Sequence, residues 1–215
     1  MSEPDESDEV PPPRVPSEYV DGWERVESSV ERLFGVEGAD VRGHTVVYED
    51  RTLRTAVREA AGGCVDRTWR FVFATRLGFR PPLPPGARPV ILPAVRRQAT
   101  HAFRDDLRDR GVAPVEVGRR DRVRTDSGER RRVRQVTGSV TTSAGTVPVE
   151  GWVGVSDGDG LHVGGGAYPG RSLADVLDVA VGEGAASGTR ANRALLRRDP
   201  AADREHLLGF VTAVG

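Results

Sequence analysis

Eight arginines crowd residues 114–135, at positions 119, 120, 122, 124, 130, 131, 132 and 134. Four acids (116, 121, 126 and 129) accompany them, so the segment carries 8 − 4 = +4. The arginines fall in two strand-like runs, 115–125 and 130–142, joined at Asp126-Ser127-Gly128-Glu129, a cluster suited to a hairpin turn. A loop of Ser127-Gly128-Glu129 pairs Val123 with Val133, and it sets Arg124 opposite Arg132 and Arg122 opposite Arg134. Like charges directly opposite in a sheet repel, so salt, neighbouring acids or an anionic partner must screen them. The plain reading is a solvated face with counterions. The functional reading makes Arg122, Arg124, Arg132 and Arg134 an anion-binding set. No aromatic residue interleaves them for base stacking, and phosphate contacts carry no base information. The set therefore predicts weak, salt-sensitive binding of polyanions or nucleic acid with little sequence preference.

A second group could do acid–base work. His44 shares a strand face with Arg42, Val46 and Tyr48, and Asp50 follows, so His44, Tyr48 and Asp50 are catalytic candidates. The competing reading is that mixed-polarity residues cap a half-buried sheet. The four histidines, at 44, 101, 162 and 206, do not fall at metal-ligand spacing on one element, so no metal set and no cofactor is read. Cys64, the sole cysteine, follows a glycine pair, and nothing in the sequence lowers its pKa; it reads as structural. Gly164-Gly165-Gly166 leads through Tyr168 and Pro169 toward Ser172. At a strand-to-helix turn such glycines can cradle phosphate on free N–H groups, but no dinucleotide or Walker pattern accompanies them, and a structural turn is expected. No G-x-S-x-G elbow is present.

These residues must be held by ordered elements, and composition bounds what those can be. The 215 residues suffice for one well-filled core. The net charge is −1, and lysine is absent, so all 31 basic residues are arginine, as a GC-rich genome would produce. Arginine must therefore also fill the ordinary surface role of lysine. The opening MSEPDESDEV is acidic and has no apolar run, no stretch reaches the length of a membrane span, and one cysteine cannot form an intrachain disulfide. A soluble cytoplasmic protein is expected, with no membrane partner.

Along the chain, residues 1–16 combine five acids with five prolines and read as a disordered tail. Residues 17–34 fit a helical face through Val26, Val30, Leu33 and Phe34. Val41–Tyr48 reads as a strand, with Asp50 capping a helix whose stripe is Leu53, Ala56, Val57, Ala60 and Ala61. Thr68–Leu77 is a strand near the sheet centre, carrying Trp69, Phe71, Phe73 and Leu77 on one face. The six prolines of Arg80–Pro93 predict an extended crossing, and Ala94–Arg110 a helix. From Pro114 to Pro169, turns at 126–129, 143–145 and 156–160 divide four strands into an antiparallel meander. Ser172 reads as an N-cap of an amphipathic helix (Leu173, Val176, Leu177, Ala180, Val181). Residues 182–191 read as a flexible link, and 201–214 as a last helix.

The segments GHTVVYED (43–50), FATRL (73–77), RPPLPPG (80–86), VEGWVGV (149–155) and GGGAYP (164–169) resemble a family of small haloarchaeal proteins of unknown function, over roughly Gly22–Pro169. That resemblance implies an archaeal, halophilic source and no activity. The element order is similar to the Mog1/PsbP-type sandwich, a likeness of fold alone. The reading is one α+β domain over Ser17–Gly215, a mainly antiparallel sheet of about six strands with helices packed on it. Its leading function is non-enzymatic binding, with a protein or a polyanion as partner. The alternatives are a nucleic-acid binder using the arginines and a small enzyme using the His44 region.

Overall fold

The Thr68–Leu77 run and the glycine-rich run after residue 160 become adjacent strands in the middle of one sheet. The structure, a computed structural model, describes residues 10–36, 38–61, 63, 65–125, 128–176 and 190–215, without the side chains of 190 and 191. The strands are β1 (Glu24–Val36), β2 (Ala39–Glu49), β3 (Phe71–Arg80), β4 (Glu116–Arg124), β5 (Arg130–Thr142), β6 (Gly145–Asp157) and β7 (Leu161–Pro169). The helices are α1 (Arg51–Ala60), α2 (Arg88–Asp109), α3 (Leu173–Val176), α4 (Arg190–Leu196) and α5 (Pro200–Ala213). Among the described residues the seven strands form one antiparallel sheet in the order β1-β2-β3-β7-β6-β5-β4. The expected α+β class and C-terminal meander are present.

Period-2 alternation gives each inner strand two apolar faces. Val41, Val47, Phe71, Leu77, Val153 and Val163 join α2 through Ile91, Val95, Phe103 and Leu107. Val46, Val72, Ala74, Trp152 and Tyr168 face the other way and meet Leu207, Phe210 and Val211 of α5. A third cluster holds α1 (Leu53, Val57) with Trp69, Val147, Leu173 and Leu196. Trp69 and Trp152 are both buried, as expected, but Trp69 precedes β3 and packs in this third cluster. Burying a side chain of this size contributes on the order of 1.5–3 kcal/mol.

Four expectations need correction. Residues 17–34 do not form an α-helix: a 3-10 turn at Ser17–Tyr19 is followed by β1, which makes the sheet seven-stranded. Val26 and Leu33, two members of the supposed helical stripe, are exposed, whereas Phe34 and Val36 pack on the α2 side. Pairing with β2 across a turn at Gly38 (φ 77) sets the register. The Arg80–Pro93 stretch is extended only at first. Proline suits an opening turn, and α2 starts at Arg88 with Pro89 beside its N-terminus and Pro93 inside it. Gly164–Gly166 lie inside β7, the fully buried middle strand, and not at a turn. They admit close packing: a Cβ on Gly165 would sit 2.5 Å from Phe73 Cε1, and one on Gly164 3.4 Å from Val211 Cα. Ser172 stands at the N-cap position of α3, as expected: its carbonyl accepts from Val176 N–H at 3.2 Å, while its Oγ donates to the Leu196 carbonyl at 3.2 Å. Finally, Val10 and Pro13, assigned to the tail, are buried; the Val10 side chain lies over Gly78.

Residues 1–9, Cys64, Leu177, Ala180, Val181 and the link at 182–189 lie outside the described residues. Residues 190 and 191, assigned to that link, open α4.

Candidate functional site

The arginine hairpin forms, with a different register. Gly128 (φ 86) donates to the Thr125 carbonyl at 2.9 Å, and Thr125 N–H donates to the Glu129 carbonyl at 2.9 Å. The ladder then runs Arg124↔Arg130, Val123↔Arg131, Arg122↔Arg132, Asp121↔Val133 and Arg120↔Arg134. The expected pairs Arg124–Arg132, Arg122–Arg134 and Val123–Val133 are therefore not the ones formed. The longer turn shifts β5 by two residues, which keeps arginine opposite arginine and adds a third such rung.

Alternation sorts the eight arginines. Arg120, Arg122, Arg124, Arg130, Arg132 and Arg134 share the face that carries Val136 and Val140, the α2 side. Five of the six are exposed and Arg134 is half-buried. No carboxylate among the described residues pairs with any of them. Arg96 of α2 borders this face. Burial lowers its pKa and the nearby Arg132 lowers it further against the opposing pull of Asp157, and among the described residues its buried Nε has no partner.

The remaining two arginines have structural work on the α5 side. Arg131 donates from Nη1 to the carbonyls of Val211, Thr212 and Val214 at 3.0, 2.7 and 2.9 Å, satisfying the open end of α5. Burial lowers its pKa, but a guanidinium stays charged. The Arg119 guanidinium stands 5.7 Å from the Trp152 ring, and that of Arg204 5.2 Å, with Arg204 held by Asp121 at 3.4 Å. Sequence could not separate these two from the other six without the register and the position of α5.

The end of the hairpin also leaves the sheet. β5 pairs with β6 from Val133↔Gly154 onward, while β6 continues against β7 to Asp157↔Leu161. From Arg132 outward β5 pairs only with β4, so the last rungs form a two-stranded ribbon with Arg122, Arg124, Arg130 and Arg132 on its open face.

The structure does not assemble His44, Tyr48 and Asp50 into one group. His44 and Tyr48 are four residues apart on β2, about 14 Å along a strand. His44 lies between the Val10 carbonyl, 2.9 Å from Nδ1, and Ser28 Oγ, 3.1 Å from Nε2. Tyr48 packs at the margin of the α5-side core. Asp50 is committed elsewhere: it caps α1 by accepting from Leu53 N–H at 3.0 Å and pairs with Arg70 at 2.7 Å. Arg70 also reaches Asp203, which Arg198 engages as well. The buried Asp50–Arg70–Asp203 chain ties α1 to β3 and α5.

A second polar cluster was not read from sequence. Tyr168 donates to Glu150 at 3.2 Å and Gln135 Nε2 reaches the same oxygen at 3.4 Å, beside Trp152. Burial, more than the adjacent carboxylate, pushes the Tyr168 hydroxyl well above its usual range, so it stays a proton donor. The available signal was Glu150 sharing a face with Trp152. A shallow cleft lined by Gly35, Val36, Gly38, Ala39, Asp40 and Arg80 lies at the far end of β2 from Tyr48. Among the described residues, no helix is long and apolar enough to cross a membrane.

The molecule is an α+β protein built on one seven-stranded antiparallel sheet. The chain belongs to the family described as Domain of unknown function (DUF6517), which it matches over residues 12–215. No curated protein matches it. Among solved structures, the crystal structure of the di-domain ARO/CYC StfQ from the steffimycin biosynthetic pathway is similar at 12% identity, covering 91% of this chain and 89% of that chain, with a TM-score of 0.15. A similarity at that level carries no argument.

Proposed function

We propose that this is a non-enzymatic binding protein of the haloarchaeal cytoplasm and that its ligand is a polyanion held on the β4–β5 arginine ladder. One observation supports the reading above the rest: three arginine–arginine rungs stand on one face with no carboxylate among the described residues to pair them. Such an arrangement opposes folding, because like charges directly opposite destabilise a sheet, and an anion removes the repulsion. Guanidinium groups that no carboxylate engages among the described residues suit phosphate or sulfate oxygens, which accept two parallel N–H bonds from each. The haloarchaeal setting rests on the resemblance of five segments and on the all-arginine composition. In strong salt the Debye length falls to about 3 Å at 1 M, and each phosphate contact weakens as salt rises, so binding on the ladder is strongest at low salt. The test is retention on immobilised heparin over a salt gradient. The parent chain should elute later than a variant in which Arg122, Arg124, Arg130 and Arg132 are serine. Equal elution of the two proteins at every salt concentration would leave the ladder a solvated face.

A further inference from the structure

We infer that the polyanion is double-stranded nucleic acid and that the end of the β4–β5 hairpin enters its major groove face-on. This rests on the polyanion reading and narrows it.

Four observations carry the choice. First, beyond Val133 the hairpin is a two-stranded ribbon, since β5 parts from β6 there. The major groove of B-form DNA, about 12 Å wide, admits a two-stranded β-ribbon. Second, the open face of that ribbon carries only arginine at its paired positions: Arg122 and Arg132 on one rung, Arg124 and Arg130 on the next, with Arg120 and Arg134 behind them. Same-face residues on a strand are about 6.8 Å apart, so the cations form a regular grid. Third, the opposite face is fastened to the domain: Arg131 bonds three carbonyls at the end of α5, and Val123 packs on the α5-side core. The ribbon is thus presented on a fixed support. Fourth, the face bears no aromatic side chain. Binders of single strands use aromatic platforms on which bases stack; a duplex keeps its bases stacked and requires none. Arg96, beside Arg132 at the margin of α2, adds a cation at the edge of the ladder, where one phosphate wall would pass.

In this arrangement the arginine forks reach guanine O6 and N7 on the groove floor and phosphates at its sides, so a modest preference for G·C-rich duplexes follows. The dependence on salt should be steep, with log K falling by about 0.9 per neutralised phosphate on B-form DNA.

The experiment is fluorescence anisotropy of the full chain with a labelled 20-base-pair G·C-rich duplex and with each of its separated strands, at low salt. The duplex should bind about tenfold more tightly than either strand, beyond what charge density alone gives. Methyl green, which occupies the major groove, should displace the protein; chromomycin, which occupies the minor groove of G·C-rich duplexes, should not. Replacing Arg122, Arg124, Arg130 and Arg132 by serine should abolish duplex binding, with the thermal midpoint confirming a folded chain. Arg97→Ser on the exposed side of α2 should change nothing. Equal affinity for single strands, or displacement by chromomycin alone, overturns the inference. Heparin retention without duplex binding would also overturn it while leaving the polyanion reading in place; absence of both would end both.

Discussion

Arg122 and Arg132 stand directly across the β4–β5 ladder from each other, and among the described residues no carboxylate pairs with either. At 4 Å two unit charges in water repel by about 1 kcal/mol, and the flexible side chains lower that by splaying. The rung is a small, persistent cost to the fold that an anion would relieve.

Replacing Arg122 by Glu turns this repulsive rung into an attractive one. The expected outcome is a gain of about 0.2–1 kcal/mol at low salt, vanishing in strong salt, together with weaker retention on heparin. Denaturant unfolding of parent and variant at two salt concentrations checks the first part. A variant no more stable than the parent at low salt would show that the rung is already relieved within the chain.

Where apolar residues recur at one clean period between strong turn or cap signals, the sequence was readable. The turns at 143–145 and 156–160 bounded β6, and the Leu53, Ala56, Val57 stripe with its Asp50 cap predicted α1. Reading failed where period and packing disagree. Val26, Val30, Leu33 and Phe34 fit a helix by spacing, yet β1 is an edge strand whose pairing with β2, not its own pattern, sets the conformation. The glycines of β7 looked like a turn because their reason is elsewhere, in the side chains of Phe73 and Val214 that come within 3.5 Å of where a Cβ would sit. At the site, the arginine content was legible and the like-charge rungs were foreseen. The register was not, because it depends on a turn two residues longer than assumed. Nor could sequence show that Arg131 serves α5, a contact spanning eighty residues of chain.

The Asp50–Arg70–Asp203 chain is buried, with side-chain exposures of 6%, 8% and 5%. Removing one member of such a group leaves a charge without its partner, which typically costs about 3–5 kcal/mol. Asp203→Ala should therefore lower the denaturant midpoint far more than Asp105→Ala, whose pairs with Arg104 and Arg108 are largely exposed. Similar losses for the two variants would mean that Asp50 alone suffices for Arg70.

Gly151 faces α2 so closely that a Cβ there would lie 2.8 Å from Phe103 Cζ and 2.9 Å from the Gly166 carbonyl oxygen. Gly151→Ala should cost about 1–3 kcal/mol by forcing the helix and sheet apart. Gly158→Ala, where the nearest atom is 3.8 Å away, should cost little. Thermal melts of both variants test the contrast, and a tolerant Gly151 would place the close approach of α2 in doubt.

Acid should weaken the fold through two histidines. His206 stacks on Trp23 at 5.4 Å and meets Tyr19 edge-on at 5.8 Å. Burial lowers its pKa below the ordinary 6.5, and Arg70 and Arg198 lower it further against the opposing pull of Asp203 and the Tyr19 backbone. His162 is also lowered, first by burial and then by Arg76 and Arg131, against Asp159 and the Gly160 backbone, and its buried Nδ1 has no partner. A depressed histidine pKa means that the unfolded chain takes up the proton first. Stability is therefore full above the unfolded value near 6.5 and falls as pH drops through the window between that value and the lower folded ones. The unfolding free energy should decline from pH 7.5 toward pH 5, and His206→Gln should flatten part of that slope. Acid should also loosen the seam where Tyr19 and Trp23 lie on α5, seen as increased Trp23 solvent exposure by quenching. A slope unchanged by His206→Gln would assign the acid sensitivity to His162 or to the carboxylates.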